Sequence, residues 1–198
     1  YLNIDDATKI SADALISGSG GTIVAWSNIK DENSLTKVSG ALSAKGIDGD
    51  GGQIETSGNT LLYNNIKVNT SSESGAYGNW LLDPTNLTIG SSEASTHASS
   101  LETTNVTLTA DETITVNNTI AYTGSRNSTL TFDATTTVLN ANISSNNGTL
   151  SIDINTILEI GASNTSITTN GGNVDVSGII RAVSGENNNF TIDAGAGN

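Results

Sequence analysis

The chain has 198 residues, 35% apolar and only 4% aromatic, with a formal net charge of −13 at pH 7. So few large apolar side chains exclude a thick globular core, and so acidic a surface disfavours nucleic-acid phosphates and anionic membranes as partners. There is no Cys, which excludes disulfides and thiol chemistry, and no apolar run is long enough for a bilayer span, so no membrane insertion is expected.

A thin core remains open to such a chain, provided each strand adds a few Val, Ile or Leu to a narrow tube. Disorder is the rival reading for an acidic sequence, but β-branched residues recur too regularly for it. Lysines stop at Lys67, and beyond it only Arg126 and Arg181 are cationic. The acidity reads as a solvated exterior that resists aggregation. The chain opens at Tyr1 without a leader segment, which reads as an internal fragment of a larger secreted protein.

In residues 1–90, Gly20-Gly21-Thr22-Ile23-Val24 and Gly51-Gly52-Gln53-Ile54 each set a glycine pair before a strand, where glycine permits a tight corner. Residues 91–104 break the pattern. Their Ala and Glu predict a short helix or a loop on the side of the fold, and the internal boundary is placed there. From 105 to 198 the strands are regular. The apolar anchors Val106, Leu130, Leu150, Val174 and Phe190 recur at intervals of 24, 20, 24 and 16. Between them lie Ile114/Val116 and Ile120, then Val138 and Ile143, then Leu158/Ile160 and Ile167.

Three short strands per unit, each pointing one or two apolar side chains inward, describe a coil of triangular section. A period in the low twenties is repeat architecture, because one coil cannot bury its own apolar face and stacked coils can. The predicted fold is all-β: a right-handed parallel β-helix of eight or nine coils, with the hand taken from the rule for parallel crossovers. A β-sandwich is the alternative, but Asn-Gly and Gly-Gly turns recur once per unit, and hairpins need more of them.

Several segments resemble one family. Gly51-Gly52-Gln53-Ile54-Glu55-Thr56-Ser57-Gly58 is followed by Trp80-Leu81-Leu82-Asp83-Pro84 and Asn86-Leu87-Thr88-Ile89. Upstream lie Ile10-Ser11-Ala12-Asp13, Val24-Ala25-Trp26-Ser27 and Ser43-Ala44-Lys45-Gly46. Over residues 9–90 the chain is similar to the filamentous-haemagglutinin-like exoproteins of bacterial two-partner secretion, whereas residues 101–190 match only in style. Gln53-Ile54 departs from the Phe-Val usual in that family, and the Asn-Pro-Asn-Gly mark of the secretion domain is missing.

The resemblance implies a β-helical shaft from a secreted or surface-tethered Gram-negative adhesin, lying after the secretion domain. Another part of the full protein would engage the outer-membrane transporter. A host-cell receptor or glycan is the implied partner, with loops 28–37 and 91–104 as presenting segments. Haem or haemopexin acquisition and contact-dependent toxin delivery are alternatives within the family. The motif residues are expected to be structural: Trp80 and Pro84 ending a coil and covering its apolar interior, Glu55 and Thr56 forming a polar turn.

Catalytic, cofactor and metal groups are sparse, and no enzyme or cofactor is expected. His97 is the only histidine, which argues against a zinc site and a paired-His haem site, and it reads as a solvated loop residue. Asp48 and Asp50, in Asp48-Gly49-Asp50-Gly51-Gly52, are weak calcium candidates without the EF-hand or nonapeptide pattern, and a plain Asp/Gly turn is the simpler reading. Asp111-Glu112 is the closest carboxylate pair for a β-helical carbohydrate-active enzyme, but strand neighbours point to opposite faces and no cation lies near in sequence. Asp83-Pro84 reads as a turn and not as a cleavable bond. Thr107-Leu108-Thr109 and Thr129-Leu130-Thr131 resemble ice-binding ladders, yet Ser151/Asp153 and Asp175/Ser177 interrupt the series.

Nine Asn-x-Ser/Thr sequons begin at Asn69, Asn86, Asn105, Asn117, Asn127, Asn142, Asn147, Asn164 and Asn189. Some haemagglutinin-like adhesins are glycosylated at such sites. With 25 Asn and 53 Ser or Thr, composition alone gives about seven, so nine is no excess.

Overall fold

The structure is a computed structural model that describes residues 1–196. Its strands begin with β1 (Leu2–Ile4), β2 (Lys9–Ser11), β3 (Thr22–Trp26), β4 (Leu35–Val38), β5 (Ala41–Ser43), β6 (Gln53–Gly58), β7 (Thr60–Leu62), β8 (Lys67–Asn69) and β9 (Asn79–Pro84). After β10 (Asn86–Ile89) comes the helix α1 (Ser91–Ser100). Then follow β11 (Asn105–Thr109), β12 (Thr113–Val116), β13 (Ile120–Tyr122), β14 (Ser128–Asp133), β15 (Thr136–Leu139), β16 (Ile143–Ser145) and β17 (Leu150–Ile154). The last are β18 (Ile157–Ile160), β19 (Thr165–Thr168), β20 (Val174–Val176), β21 (Ile180–Ala182) and β22 (Phe190–Asp193). The chain forms two compact units: residues 1–85 with 103–107, and residues 86–102 with 108–198. Within each, parallel strands stack as a β-solenoid.

In the first unit the strands form three parallel rows, β1-β4-β7, β2-β5-β8 and β3-β6-β9. Each strand alternates. In β3, Ile23 and Ala25 point inward while Val24 and Trp26 point out. The rows stack like on like: Ile23 over Ile54 over Trp80, and Ala25 over Thr56 over Leu82. Removing each such aliphatic side chain from water contributes about 1.5–3 kcal/mol, and the ladder pairs satisfy the backbone polar groups.

The glycine pairs mark where successive turns come closest. A Cβ on Gly52 would overlap Gly21 O, and one on Gly78 would overlap Gly52 O. Gly52 N donates to Ala44 O at 2.7 Å, and Gly78 N to Thr70 O at 2.8 Å. Close backbone approach, and not a positive φ, is what requires glycine here: neither Gly52 nor Gly78 has one.

The second unit repeats the scheme in β10-β12-β15-β18-β21, β13-β16-β19-β22 and the row β14-β17-β20. Its register corrects the sequence alignment. Leu130 lies beside Ile152, not Leu150, and Ile152 beside Val174, so the spacing is an even 22 residues. Phe190 belongs to a different row, where β22 pairs with β19 through Ile167 and Ile192. Val138 points outward; Thr137 and Leu139 face the core, stacked on Ile114 and Val116. A one-residue slip in reading a strand exchanges its two faces.

Residues 91–104 are mostly α1, and His97 is not a solvated loop residue but fully buried. Ala94, Thr96, His97 and Ser100 are the helix's buried residues. The helix lies against β10 and β13, and its buried side chains are small apart from the imidazole. Burial pushes the His97 pKa down to about 3, so the ring is neutral at pH 7. At the start of α1, Glu93 Oε2 accepts from Gly90 N at 3.1 Å. No helix among the described residues is long and apolar enough to cross a membrane.

Candidate attachment surface

The outward face of β3 leads into a concavity of the first unit. Trp26 ends the strand at an outward position and is 62% exposed, high for an indole. The chain then turns through two Asx turns. Asn28 Oδ1 accepts from Lys30 N at 3.1 Å, and Asp31 Oδ1 accepts from Asn33 N at 3.0 Å.

Beneath the loop, Ser27 Oγ and Ser34 Oγ lie 2.7 Å apart, and Thr36 Oγ1 donates to Ser27 Oγ at 2.8 Å. A Cβ on Gly58 would meet both Ser27 Oγ and Thr36 Oγ1, so the glycine that ends the Glu-Thr-Ser-Gly segment makes room for this cluster. Asn59 Nδ2 bridges Ile29 O at 3.0 Å and Thr85 Oγ1 at 2.9 Å, tying the loop to the following turns. The loop between β3 and β4 is residues 27–34, shorter than the expected 28–37 because β4 begins at Leu35.

The result is a cleft of about 500 Å³ lined by Trp26, Ser27, Asn28, Ile29 and Lys30. Among the described residues the Lys30 ammonium makes no ion pair; those present join Lys45 to Asp13 and Arg181 to Glu159. The cleft thus offers an aromatic face, an indole N–H, an amide and a free cation, a set that suits a polar ligand with one flat apolar face, such as a pyranose.

Apart from Gly51 and Gly52, which precede β6, the motif residues lie in strands. Gln53–Gly58 is β6 and Asn79–Pro84 is β9, paired so that Ile54 stacks on Trp80, Glu55 on Leu81, Thr56 on Leu82, Ser57 on Asp83 and Gly58 on Pro84. Glu55 and Thr56 therefore form no turn: Thr56 is fully buried, and Glu55 accepts from Ser57 Oγ at 2.9 Å. Trp80 does not end a coil either. It lies inside the core as the second residue of its strand, because alternation sends its ring inward with Leu82 and Pro84. Its ring meets Tyr63 edge-on with centroids 5.9 Å apart, and its Nε1 donates to Thr56 Oγ1 at 2.9 Å. Pro84 ends its strand, as a turn proline does.

The carboxylates serve the fold. Gly18 N donates to Asp48 Oδ1, and Ala76 N donates to Asp50 Oδ1 at 2.9 Å, so each acid joins two neighbouring turns. No group of three His, Cys, Asp or Glu able to hold a metal occurs among the described residues. Asp111 and Glu112 sit in a bend before β12, not within a strand, and Glu112 Oε2 accepts from Asn86 Nδ2 at 2.7 Å. Burial raises the Asp13 pKa, but bonds from Ser43 Oγ at 2.6 Å, Lys45 N at 2.7 Å and Ser11, with the Lys45 charge, hold it below the ordinary carboxylate range.

The sequons differ in freedom. The side chains of Asn69, Asn86, Asn105, Asn117, Asn142, Asn147, Asn164 and Asn189 are engaged in hydrogen bonds. Asn127 is exposed next to a bend before β14, and its side chain makes no hydrogen bond among the described residues. Only Trp26 and the cleft beside it escaped the sequence reading as a site; the signal was an aromatic at an outward position of a strand whose inward residues were already assigned. Neither a family model, nor a curated protein, nor a solved structure matches the chain.

Proposed function

We propose that this chain is a β-solenoid segment of a large secreted or surface-tethered bacterial adhesin, similar to the filamentous-haemagglutinin-like exoproteins. The coils wind right-handedly in this reading, as the rule for parallel crossovers favours, and number eight or nine. The segment acts as a rigid shaft and carries an attachment surface for a host-cell glycan or receptor at the Trp26 cleft. Outer-membrane transport belongs to another part of the full protein.

The observation that carries this reading is the 62% exposed Trp26 above a cleft braced on both sides by hydrogen bonds. A solvated indole has no role in the core, and a pre-formed loop loses little entropy on binding. The pairing of β3, which carries Val24-Ala25-Trp26, with β6, and of β6 with β9, supports the family reading, because three of the segments that resemble the family follow one another in one physical row. A shaft for haem acquisition or toxin delivery would share that row but has no use for the exposed indole.

The test is a glycan array probed with the wild-type protein and with Trp26→Ala. Selective binding that Trp26→Ala loses supports the reading. A folded wild-type protein that binds no glycan removes the attachment surface from this segment.

A further inference from the structure

Helix α1 takes the place of a strand. In the second unit β10 pairs with β12, while α1, which follows β10, lies against β13, which follows β12. β13 is the end strand of its row, so its outer edge faces the helix. A helix covers such an edge without pairing with it, because its own backbone donors and acceptors are spent internally. Its C-terminal end is anchored, since the C-cap Leu101 is fully buried and its carbonyl accepts from Ser128 Oγ at 2.6 Å, but within Ser91–Ser100 little that is apolar is buried: Ala94, Thr96 and Ser100 are small or polar, and His97 is the largest buried side chain.

We propose that α1 is an acid-released cover over the β13 edge, with the buried His97 imidazole as its latch. Opening hydrates the ring and exposes Ile120 and Tyr122, both now fully buried. The open state binds a proton near the ordinary His value of 6.5, and the closed state does so only near 3, so opening gains one proton as pH falls between those values. Stability of the closed form is complete above 6.5 and declines on acidification, the reverse of a histidine that gains an acidic partner.

The other titratable groups on the elements packed against this helix are few. β13 contributes Tyr122, whose hydroxyl donates to Arg126 O at 2.8 Å. β10 contributes none. The helix itself carries Glu93, bonded to Gly90 N, and Glu102 follows it at an exposed position.

The test is amide exchange of Ala94–Ser100 between pH 7 and pH 4, corrected for intrinsic rates. It is made on wild type, His97→Gln and Glu93→Gln, with β16 and β19 as internal references. Helix opening is expected to rise about tenfold per pH unit between 6 and 4 in wild type and in Glu93→Gln, and to stay flat in His97→Gln, while the references keep their protection. His97 is the only histidine, so its ring proton resonance gives a second readout: the folded imidazole is expected to remain neutral at pH 4.5. The proposal is overturned by pH-independent helix exchange, by an unchanged acid response in His97→Gln, or by a folded imidazole that titrates near 6.5. If His97→Gln does not fold, the wild-type exchange and the imidazole titration decide together.

Discussion

Trp80 Nε1 donates to Thr56 Oγ1 at 2.9 Å, and both residues are wholly buried. The two come from segments 24 residues apart in sequence, and the bond crosses from one strand to the next in a single parallel row. It gives the Glu-Thr-Ser-Gly and Trp-Leu-Leu-Asp-Pro segments a shared purpose: one supplies the acceptor that lets the other bury an indole. A buried indole N–H needs such a partner.

Thr56→Val keeps the shape of the side chain and removes the acceptor. It is expected to lower unfolding stability by about 1–3 kcal/mol, measured by urea denaturation. A loss below a few tenths of a kcal/mol would show that the bond does not hold the row together.

Gly52→Ala places a methyl group against the backbone of Gly21 and Gly20, where no flexible side chain can yield. Overpacking of this kind costs about 1–3 kcal/mol, so a clear fall in Tm is expected. Gly171→Ala is the contrast: its φ of +95° makes alanine costly through backbone strain although the space beside it is open.

The outward row Thr131-Asp153-Asp175 sets two carboxylates side by side on paired strands. Burial, then the Asp175 charge, raises the Asp153 pKa. A carboxylate with a raised folded pKa weakens the fold at neutral pH and does so less as pH falls through that pKa. Asp175→Asn is therefore expected to stabilise the protein at pH 7 by up to about 1 kcal/mol, with the gain shrinking at high salt. A destabilised variant would contradict the pairing.

Much of the solenoid was legible before the structure, because parallel stacking asks only that apolar residues return at a steady interval. The register was not. Leu130 and Leu150 look equivalent because both sit in Thr-Leu-(Thr/Ser)-(Phe/Ile), yet ladder pairing sets Leu130 beside Ile152. Similar residues two apart share a face, so composition cannot choose between the two alignments. The helix face of α1 was hidden for another reason: its buried residues are Ala, Thr, His and Ser, which show no apolar stripe. Trp80 was visible as part of a motif, but its inward direction depends on the strand's phase, which the motif alone does not set.

Among the sequons, Asn127 is expected to be modified first when the folded protein meets an enzyme that glycosylates Asn-x-Ser/Thr. Its amide is solvated next to a bend, while Asn142 Oδ1 accepts from Ser166 N at 2.9 Å. Peptide mass spectrometry reads the order directly. Preferential modification of Asn142 would contradict the accessibility argument.

If the proposed attachment surface lies at Trp26, adherence to epithelial cells depends on its exposed indole. Wild type and Trp26→Ala would be compared at equal concentration, after circular dichroism has shown the same β content in both. Saturable binding by wild type and at least tenfold weaker binding by Trp26→Ala, about 1.4 kcal/mol lost, are expected. Equal binding by the two proteins, or none by a folded wild type, would contradict the proposal.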